Sequence, residues 1–342
     1  MSHRPTIRDV ARAAGVSTTT VSRYLNKAGY VGAEALARIE EAIRETGYAP
    51  SMMARGLKAL KSNLIVLIVP DICNPFYSKM AKTVQRMALQ RGFGVVLLDS
   101  DERKEREADS VLFAAQMYAA GIMLASINSC AHAAPLIKEH KLAAVGLSSY
   151  DLPQSFDIVT VHKKGGTNLA VRHLVSLGHR DIVFAGGRPS SGIATGRREG
   201  FERQMRLEGL PLTPDSVYET GFSQEDGYRA GLKFAARETL PTAICCANDL
   251  NAFGVINALG DRGIRVPEDV SVTGMDDVPY ASISKPRLTT ITNDGALFAE
   301  VAFEMLMDRI DGIVSPPRHF EIPNVLITRE STAPPRVGGP LR

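Results

Sequence analysis

The chain has 342 residues, of which 44% are hydrophobic and 23% are charged, and this composition is typical of a soluble globular protein. It is too long for one ordinary core, so we expect two or three domains. The net charge of +3 is unevenly distributed: residues 1–62 hold ten Lys and Arg against five Asp and Glu, a net charge of +5, whereas the remainder carries −2. A basic N-terminal segment predicts contact with a polyanion.

Neither the cysteines nor the apolar runs indicate a secreted or membrane protein. Cys73, Cys130, Cys245 and Cys246 have no CxxC spacing, and we expect free, buried thiols in a reducing compartment. The longest apolar runs, such as Leu64 to Pro70, are too short to span a bilayer, and the N-terminal residues lack the pattern of a signal peptide. We therefore expect a cytoplasmic protein with no membrane segment.

The N-terminal segment begins with two predicted helices separated by a tight turn. Thr6 and Asp9 have the spacing of a capping box, and the run from Ile7 to Ala14 predicts a short helix. Gly15 suits the left-handed turn that ends a helix, and Ser17 is a suitable cap for the next one. A third helix with apolar residues at helical spacing is predicted from about residue 33 to 46.

The second predicted helix has one apolar and one polar side. The residues that would point inward are Val21, Tyr24 and Leu25. The residues that would point outward are Thr18, Thr19, Ser22 and Arg23. A three-helix cap with a solvated polar face is the alternative, but capping, turn, basic charge and polar face all agree on a helix-turn-helix.

This polar face suits a recognition helix, whose first turn enters the major groove of DNA. Thr18 and Thr19 each offer a hydroxyl and a methyl to base edges. Arg23 can make a bidentate contact to guanine or phosphate, and Ser17 and Ser22 are placed to reach phosphates. We therefore predict that this helix-turn-helix binds double-stranded DNA.

Residues 49–61 predict a short hinge helix. Pro50 suits the first turn of a helix, and an apolar stripe runs from Met52 to Leu60. A helix of this length is not stable alone in water. An unremarkable linker is the alternative, although a linker would not need the stripe.

From residue 62 the chain alternates apolar, β-rich runs with helical stretches. The predicted strands are LIVLIV, GVVLLD, GIMLAS, LAAVGL, DIVFAG, TAICCA and VSVTGM. The predicted helices include Phe76 to Gln90, Lys104 to Tyr118, Thr167 to Ser176 and Leu250 to Asp261. Continuous apolar strands between helices indicate parallel sheets covered on both faces. The predicted fold is an α/β core of two doubly wound parallel-sheet subdomains, preceded by a small all-α N-terminal domain.

In such sheets, ligands bind beyond the carboxyl ends of the strands. Asn74 and Phe76 follow the first strand, where the amide can bond a hydroxyl and the ring can stack on a sugar or a base. Their alternatives are a helix cap for Asn74 and a core position for Phe76. Nucleophile–base pairs, P-loops, dinucleotide fingerprints and metal-ligand histidine spacings are not found, so we predict no enzyme, cofactor or metal.

Eight segments carry a specific resemblance. They are TIRDVARAAGVSTTTVSRYLN, GYAPSMMARGLK, NPFY, GHRDIVFAGG, RREGF, ANDLNAFG, SVTGMDD and PRLTTI. In this order, from about Thr6 to Glu330, they resemble the lactose-repressor (LacI/GalR) family of bacterial transcription factors. The resemblance implies a core like that of periplasmic sugar-binding proteins, in which two subdomains exchange segments.

The resemblance also implies domain boundaries. Residues 1–48 would form the helix-turn-helix domain, 49–61 the hinge, 62–330 the effector-binding and dimerisation core, and 331–342 a disordered tail. Within the core, the N-subdomain would take about 62–160 and 290–320, and the C-subdomain about 161–288 and 321–330.

Further DNA contacts follow from the resemblance. In this family, the leucine at the position of Leu57 wedges into the minor groove and kinks the DNA when two hinge helices pair. The complete set of predicted DNA-binding residues is Thr6, Ser17, Thr18, Thr19, Ser22, Arg23, Asn26, Ser51, Ala54, Arg55 and Leu57.

The resemblance places an effector pocket between the subdomains. Arg197 matches the arginine that holds the effector, and Asn248 and Asp276 match polar residues at strand ends. Asp249 or Asp277 could face the pocket instead of its neighbour. The complete set of predicted effector-binding residues is Asn74, Phe76, Ser149, His162, Ile193, Arg197, Asn248 and Asp276.

Two departures from the family pattern bear on the effector. Ile193 stands where lactose-type members carry a serine. His162 stands where many members have an aspartate, within the basic run VHKKGG. This run permits an acidic effector such as a sugar acid or a phosphate, but the favoured interpretation is that Lys163 and Lys164 are merely solvated.

Together these features predict a sequence-specific transcriptional repressor that binds a roughly palindromic operator and associates with the nucleoid when bound. A homodimer is favoured over a tetramer because no long heptad repeat follows Glu330. A sugar or sugar derivative would change operator affinity by roughly 5–150-fold, as inducer or corepressor. A periplasmic sugar-binding protein would need no basic head, and a nonspecific nucleoid protein would need no large pocket.

Overall fold

The computed structural model describes residues 5–25, 29–48, 62–127, 133–147, 156–161, 165–313 and 315–336. Contacts divide the chain into two compact units, Met1–Asn63 and Leu64–Arg342, which we call the head and the core. The predicted hinge, residues 49–61, lies outside the described residues. Among the helices that the structure describes, none is long and apolar enough to cross a membrane.

The head contains three helices whose ends follow local sequence signals. They are α1 (Ile7–Ala14), α2 (Thr18–Leu25) and α3 (Ala33–Thr46). The backbone N–H and the hydroxyl of Thr6 both donate to Asp9 Oδ2, at 2.9 and 2.7 Å, which confirms that these two residues cap α1. Gly15 ends α1 in the left-handed region, with a φ of 62°. The predicted bounds of α1 and α3 are confirmed.

A small apolar core holds the three head helices together. Its buried residues are Val10, Ala11, Ala14, Val21, Ile39 and Ala42. The alanines permit close approach of neighbouring helices. Leu36 shares the helical spacing of Ile39 but is 37% exposed, so the apolar stripe of α3 is buried only from Ile39 onward.

The core is built on two sheets within the described residues. The strands of the first sheet are β1 (Leu64–Val69), β2 (Gly94–Asp99), β3 (Gly121–Ala125), β4 (Ala143–Leu147), β5 (Asp157–Val161) and β11 (His319–Ile322). They are all parallel, in the order β11-β5-β4-β3-β1-β2. The helices of this half are α4 (Pro75–Gln90), α5 (Lys104–Gln116), α6 (Ala134–Glu139) and α11 (Gly295–Ile310).

The second sheet repeats this plan. Its strands are β6 (Ile182–Ala185), β7 (Val217–Tyr218), β8 (Ala243–Cys246), β9 (Ser271–Asp276), β10 (Thr289–Thr292) and β12 (Val325–Ile327). In the order β12-β10-β9-β8-β6-β7 they are parallel, except that β12 runs antiparallel to β10. The helices of this half are α7 (Gly165–Ser176), α8 (Gly192–Leu207), α9 (Gln224–Ala235) and α10 (Asp249–Asp261). The predicted fold of two doubly wound sheets is confirmed.

The chain passes between the two halves near residues 161–165, 292–295 and 322–325. The second crossing lies later than the predicted boundary near residue 290, because Thr289 to Thr292 pair with β9 of the second sheet. The third lies after Ile322 rather than after residue 320, because β11 pairs along its whole length with β5. We call these three segments the crossings of the core.

The expected disorder of the tail is wrong for residues 331–336. Ser331 is fully buried, and its hydroxyl donates to the Val272 carbonyl at 2.6 Å and accepts the Thr289 N–H at 2.8 Å. The N–H of Ala333 donates to Ser271 Oγ at 3.0 Å. The segment is ordered because its hydroxyls and amides complete the hydrogen bonding of β9 and β10. Residues 337–342 lie outside the described residues.

Ser331→Ala is expected to lower the free energy of unfolding by about 1–3 kcal/mol, because the buried Thr289 N–H loses its acceptor. Urea denaturation of the full chain measures this change. Ser282→Ala is the control, since its exposed hydroxyl donates only to the Pro279 carbonyl, at 2.9 Å. Equal losses in both variants would mean that Ser331 has no special role.

The cysteines only partly match expectation. Cys245 and Cys246 are buried and free in β8, and burial raises the pKa of the Cys245 thiol to about 12. Cys73 is free but exposed, because it lies in the loop between β1 and α4. Cys130 lies outside the described residues.

Candidate functional site

The outward face of α2 is polar and open to solvent in the head. Thr18, Thr19 and Arg23 are exposed, and Ser22 is half-buried. The arrangement in which these side chains pack inside the molecule is therefore excluded. A helix that presents hydroxyls, methyls and a guanidinium in this way has the chemistry needed to read base edges.

Two of the predicted DNA-contacting hydroxyls also hold helix ends in place. Ser17 Oγ accepts the N–H of Thr20 at 3.1 Å and lies 2.9 Å from the Thr20 hydroxyl. Thr6 is bonded to Asp9, as described above. Both Ser17 and Thr6 remain exposed at the starts of their helices. Five further predicted contacts lie outside the described residues: Asn26, Ser51, Ala54, Arg55 and Leu57.

The core holds a cleft lined by both of its halves. From the first half, the lining includes Asn74, Phe76, Tyr77, Glu102, Ser126 and Phe298. From the second half, it includes Ile193, Arg197, Phe222, Asn248 and Asp276. Several of these residues follow the carboxyl ends of strands, where ligands bind in doubly wound sheets. The mixed polar and aromatic lining suits a small organic ligand.

Arg197 and Asp276 form a nearly buried pair in the cleft. The guanidinium Nη2 donates to Asp276 Oδ1 at 3.2 Å, and Nη1 donates to the Ala247 carbonyl at 2.6 Å. The guanidinium also lies 5.9 Å from the ring centroid of Phe222. Burial raises the pKa of Asp276, although Arg197 and the amide of Asn293 act in the opposite direction. The pair offers fixed donors and an acceptor to a ligand.

Of the three aspartates Asp249, Asp276 and Asp277, Asp276 is the one that lines the cleft. Asp249 is buried instead, where it accepts the Thr290 hydroxyl and, at 2.8 Å, the Val278 N–H. Asp277 pairs with Arg329 at 2.7 Å. Asp276 also has a φ of 109°, a backbone conformation that L residues rarely adopt. Local strain of this kind is common where a side chain must be aimed into a binding site.

The two asparagines predicted to contact an effector act as helix caps. Asn74 Oδ1 accepts the Phe76 N–H at 3.0 Å, which is the role of the cap that was its alternative. Asn248 Oδ1 accepts the Asn251 N–H at 2.8 Å, and its Nδ2 donates to the Phe222 carbonyl at 2.9 Å. Both still line the cleft, so their capping bonds limit what they can offer to a ligand.

Phe76 combines its two predicted roles. The ring is half-buried against Tyr77, with centroids 5.2 Å apart, and against Phe298 at 6.4 Å, and it also lines the cleft. Ile193 lines the cleft as well. Ser149 and His162 lie outside the described residues.

Comparison with known proteins decides the family. Residues 6–51 match the family described as "Bacterial regulatory proteins, lacI family", and residues 171–332 match the periplasmic binding protein-like domain. The HTH-type transcriptional repressor PurR of Pasteurella multocida (strain Pm70) is 34% identical over 307 residues, 90% of this chain and 92% of that protein. The chain belongs to the lacI family.

Solved structures of lacI-family proteins share its fold. A lac repressor dimer bound to operator and to the anti-inducer ONPF superposes with a TM-score of 0.86 at 28% identity, covering 97% of this chain and all of that one. The complex of the transcriptional regulator CelR with cellobiose has a TM-score of 0.72 at 26% identity, covering 96% of this chain and all of that one. As a lacI-family member with repressors as relatives, the chain is a transcriptional regulator and not an enzyme.

Sequence reasoning missed part of the cleft of this lacI-family protein. Glu102 and Ser126 follow β2 and β3, and applying the strand-end rule to those strands would have found them. Phe222 follows β7, a strand of two residues that leaves no hydrophobic signal. Tyr77 is adjacent to Phe76, and its phenol has a raised pKa because it is buried and lies near the negative charge of Asp276. It is therefore a neutral hydroxyl in the cleft.

A second set of contacts joins the two halves beside the cleft. The Arg188 guanidinium of the second half donates to the Glu102 carboxylate of the first. Ser191 Oγ donates to the Ile127 carbonyl at 3.1 Å. Burial raises the pKa of Glu102, and Arg188 partly offsets this effect. These bonds hold the two halves together beside the cleft in this arrangement.

Proposed function

We propose that this lacI-family repressor binds a roughly palindromic operator as a homodimer, and that a small hydroxylated effector in the core cleft controls the binding. The observation that carries the proposal is the pairing of Arg197 with Asp276 in a cleft lined by both halves of the core. A ligand that engages this pair favours one relative arrangement of the halves. A ligand shifts an equilibrium by as much as its affinities for the two arrangements differ.

The head supplies the DNA-reading surface in this proposal. The exposed Thr18, Thr19 and Arg23 of α2 contact base edges in one half-site, and two heads read the two halves of the operator. We also propose that the hinge residues, Leu57 among them, contact the operator centre. The solved lac repressor dimer, which is bound to operator, supports this assembly. A protein of this kind acts in the cytoplasm, where it associates with the nucleoid.

The charge of the cleft favours a neutral effector. Its charged lining residues are Asp71, Glu102, Arg197 and Asp276 among those that the structure describes, so carboxylates outnumber the single guanidinium. Arg197 is already paired with Asp276. Hydroxyls of a sugar or nucleoside can accept from the arginine and donate to the aspartate, and a ring can lie against Phe76 or Phe222. The cellobiose bound to the relative CelR supports this class.

A ligand screen followed by DNA binding tests the proposal. Thermal shift with an external dye, needed because the chain has no tryptophan, is run against neutral sugars, sugar acids and nucleosides. We expect a neutral hydroxylated compound to stabilise the protein and to change its affinity for an operator selected from random DNA. Added salt should also lower the affinity for the specific operator less than the affinity for scrambled DNA. A ligand that stabilises the core without altering operator affinity would contradict the proposal.

Glu102→Gln is expected to change the charge preference of the cleft. The wild type should bind a neutral sugar better than the corresponding sugar acid. Glu102→Gln removes a carboxylate from the lining and leaves Arg188 without its acidic partner, and both changes favour the acid. Removing that charge should reduce the ratio of the two affinities, neutral sugar over sugar acid, by about tenfold, or ~1.4 kcal/mol. Calorimetric titration with both compounds measures the preference.

Glu105→Gln provides the matched control for this substitution, because Glu105 is exposed near the start of α5. It removes the same charge from the same half of the core. An unchanged preference in Glu102→Gln, or an equal change in the control, would show that Glu102 does not select the effector.

A further inference from the structure

The carboxylate of Asp276 accepts a hydrogen bond from a second side chain besides Arg197. Its Oδ1 also accepts from Asn293 Nδ2 at 2.7 Å. The Oδ1 of Asn293 in turn accepts from Asn324 Nδ2 at 2.6 Å. These bonds form a continuous chain from the cleft through two amide side chains, and Asn293 is itself 2% exposed.

Both asparagines lie in the segments by which the chain crosses between the halves of the core. Asn293 stands between the end of β10 and the start of α11, and Asn324 stands between β11 and β12. The backbone of the crossing at residues 292–295 is held by local hydrogen bonds. The Asp294 N–H donates to Thr292 Oγ1 at 3.0 Å, Asp294 Oδ1 accepts the Leu297 N–H at 3.2 Å, and Asp294 has a φ of 37°.

Rotation of one half against the other must be absorbed by the backbone of these crossings, as in other hinged proteins. The bond between Asn293 and Asn324 joins two of the crossings directly. The same bonded chain fixes the orientation of the carboxylate that a ligand would engage. A change at Asp276 and a change in the crossings are therefore linked through two side chains.

Asn324 is also incompletely satisfied. Its Oδ1 is buried and has no hydrogen-bond partner among the described residues. A buried polar atom without a hydrogen bond is unfavourable. An arrangement of the crossings that pairs this oxygen would gain a hydrogen bond.

We propose that Asn293 and Asn324 are positioning residues that transmit occupancy of the cleft at Asp276 to the crossing segments. A ligand hydroxyl that bonds Asp276 competes with Asn293 for the carboxylate. The freed amide then changes its bond to Asn324, and the two crossings move to the arrangement that sets the dimer for DNA binding or release. This inference rests on the proposed function and adds the route by which the cleft acts.

Asn324→Ala in the full-length protein tests the route, because Asn324 does not line the cleft. The probes are ribose, glucose and cellobiose, using whichever stabilises the wild type most. We expect the affinity for that sugar to stay within about threefold of wild type, since no ligand contact is lost. The ratio of operator affinities with and without the sugar should fall at least fivefold towards one.

Two further variants distinguish transmission through Asn324, which we call the relay, from a merely structural role. We call the ratio of operator affinities with and without the sugar the coupling. Asn324→Gln keeps a donor and should retain most of the coupling, whereas Asn324→Asp keeps the shape but loses the donor and should lose the coupling. Asn324→Asp also replaces the alanine variant if that one does not fold. Gln116→Ala, at an exposed amide at the end of α5, is the control and should leave the ratio unchanged.

The outcomes distinguish this inference from the proposed function. If the sugar changes operator affinity in the wild type and changes it equally in Asn324→Ala or Asn324→Asp, the relay is wrong. The proposed function is not affected by that result. Loss of sugar binding in these variants also overturns the relay, because Asn324 would then be part of the binding site. If none of the three sugars stabilises the wild type, the neutral sugar or nucleoside that stabilises it most in the ligand screen replaces them. A wild type that no such compound stabilises contradicts the proposed function, and the inference about Asn293 and Asn324 falls with it.

Discussion

Asp276→Ala is expected to abolish the response to the effector while leaving the affinity of the free protein for its operator within about threefold of wild type. The variant removes the carboxylate that a ligand would engage and leaves Arg197 without its partner in a nearly buried position. The effector loses a hydrogen bond to a charged group, which is worth about 1.5–3 kcal/mol, so effector affinity should fall by at least about tenfold. Operator affinity should change little because the side chains that we propose to read DNA lie in the head.

The measurements for this variant are calorimetric titration with the effector and fluorescence anisotropy with labelled operator. Asp277→Ala is the matched control, since it removes the neighbouring carboxylate, which pairs with Arg329 and does not line the cleft. The control should bind the effector normally. A retained response in Asp276→Ala would mean that the binding site lies elsewhere.

Arg23→Ala is expected to weaken binding to the specific operator by about 5–150-fold for each half-site, which is the ~1–3 kcal/mol of a bidentate contact to a base. Because the guanidinium is exposed on the polar face of α2, its loss should leave the fold of the head unchanged. Sequence preference should become weaker at one base pair of each half-site. Binding of a library of single-base operator variants measures both effects.

Arg44→Ala controls for the loss of positive charge in the head. Arg44 is exposed near the end of α3, where it pairs with Glu41. Its removal should lower affinity for all DNA sequences by a similar, small factor. If Arg23→Ala also weakens all sequences equally, Arg23 contacts only the phosphate backbone and does not read bases.

The elements that could be predicted from the sequence are those with local signals. The bounds of α1 and α3 follow from a capping pair and from glycines that adopt the left-handed conformation. The apolar runs that became β1, β3 and β8 are continuous because helices cover both faces of each sheet. Each of these signals lies within a few residues of the feature that it predicts.

The elements that escaped prediction depend on distant partners. The tail residues Ser331 and Ala333 are polar and look disordered as a sequence, yet they are ordered by bonds to Ser271, Val272 and Thr289. The exact crossings between the halves depend on which strand β10 and β11 pair with, and that choice is made across the sheet. No local pattern reports such pairings.

The cleft shows the same limit. The neighbours Asp276 and Asp277 have the same chemistry, and only their partners, Arg197 and Arg329, distinguish the one that lines the cleft. Asn74 has the same signature whether it caps a helix or contacts a ligand, and here it does the first while lining the cleft. Residues of the cleft could be predicted from the sequence, but their hydrogen-bond partners could not.

Reciprocal linkage between operator and effector tests the central claim most directly. The affinity for the operator is measured with and without saturating effector, and the affinity for the effector is measured with and without saturating operator. Control of the head by the cleft requires the two ratios to be equal, and we expect a value of roughly 5–150. Ratios of one, with both ligands bound, would show that the cleft and the DNA-reading helix act independently.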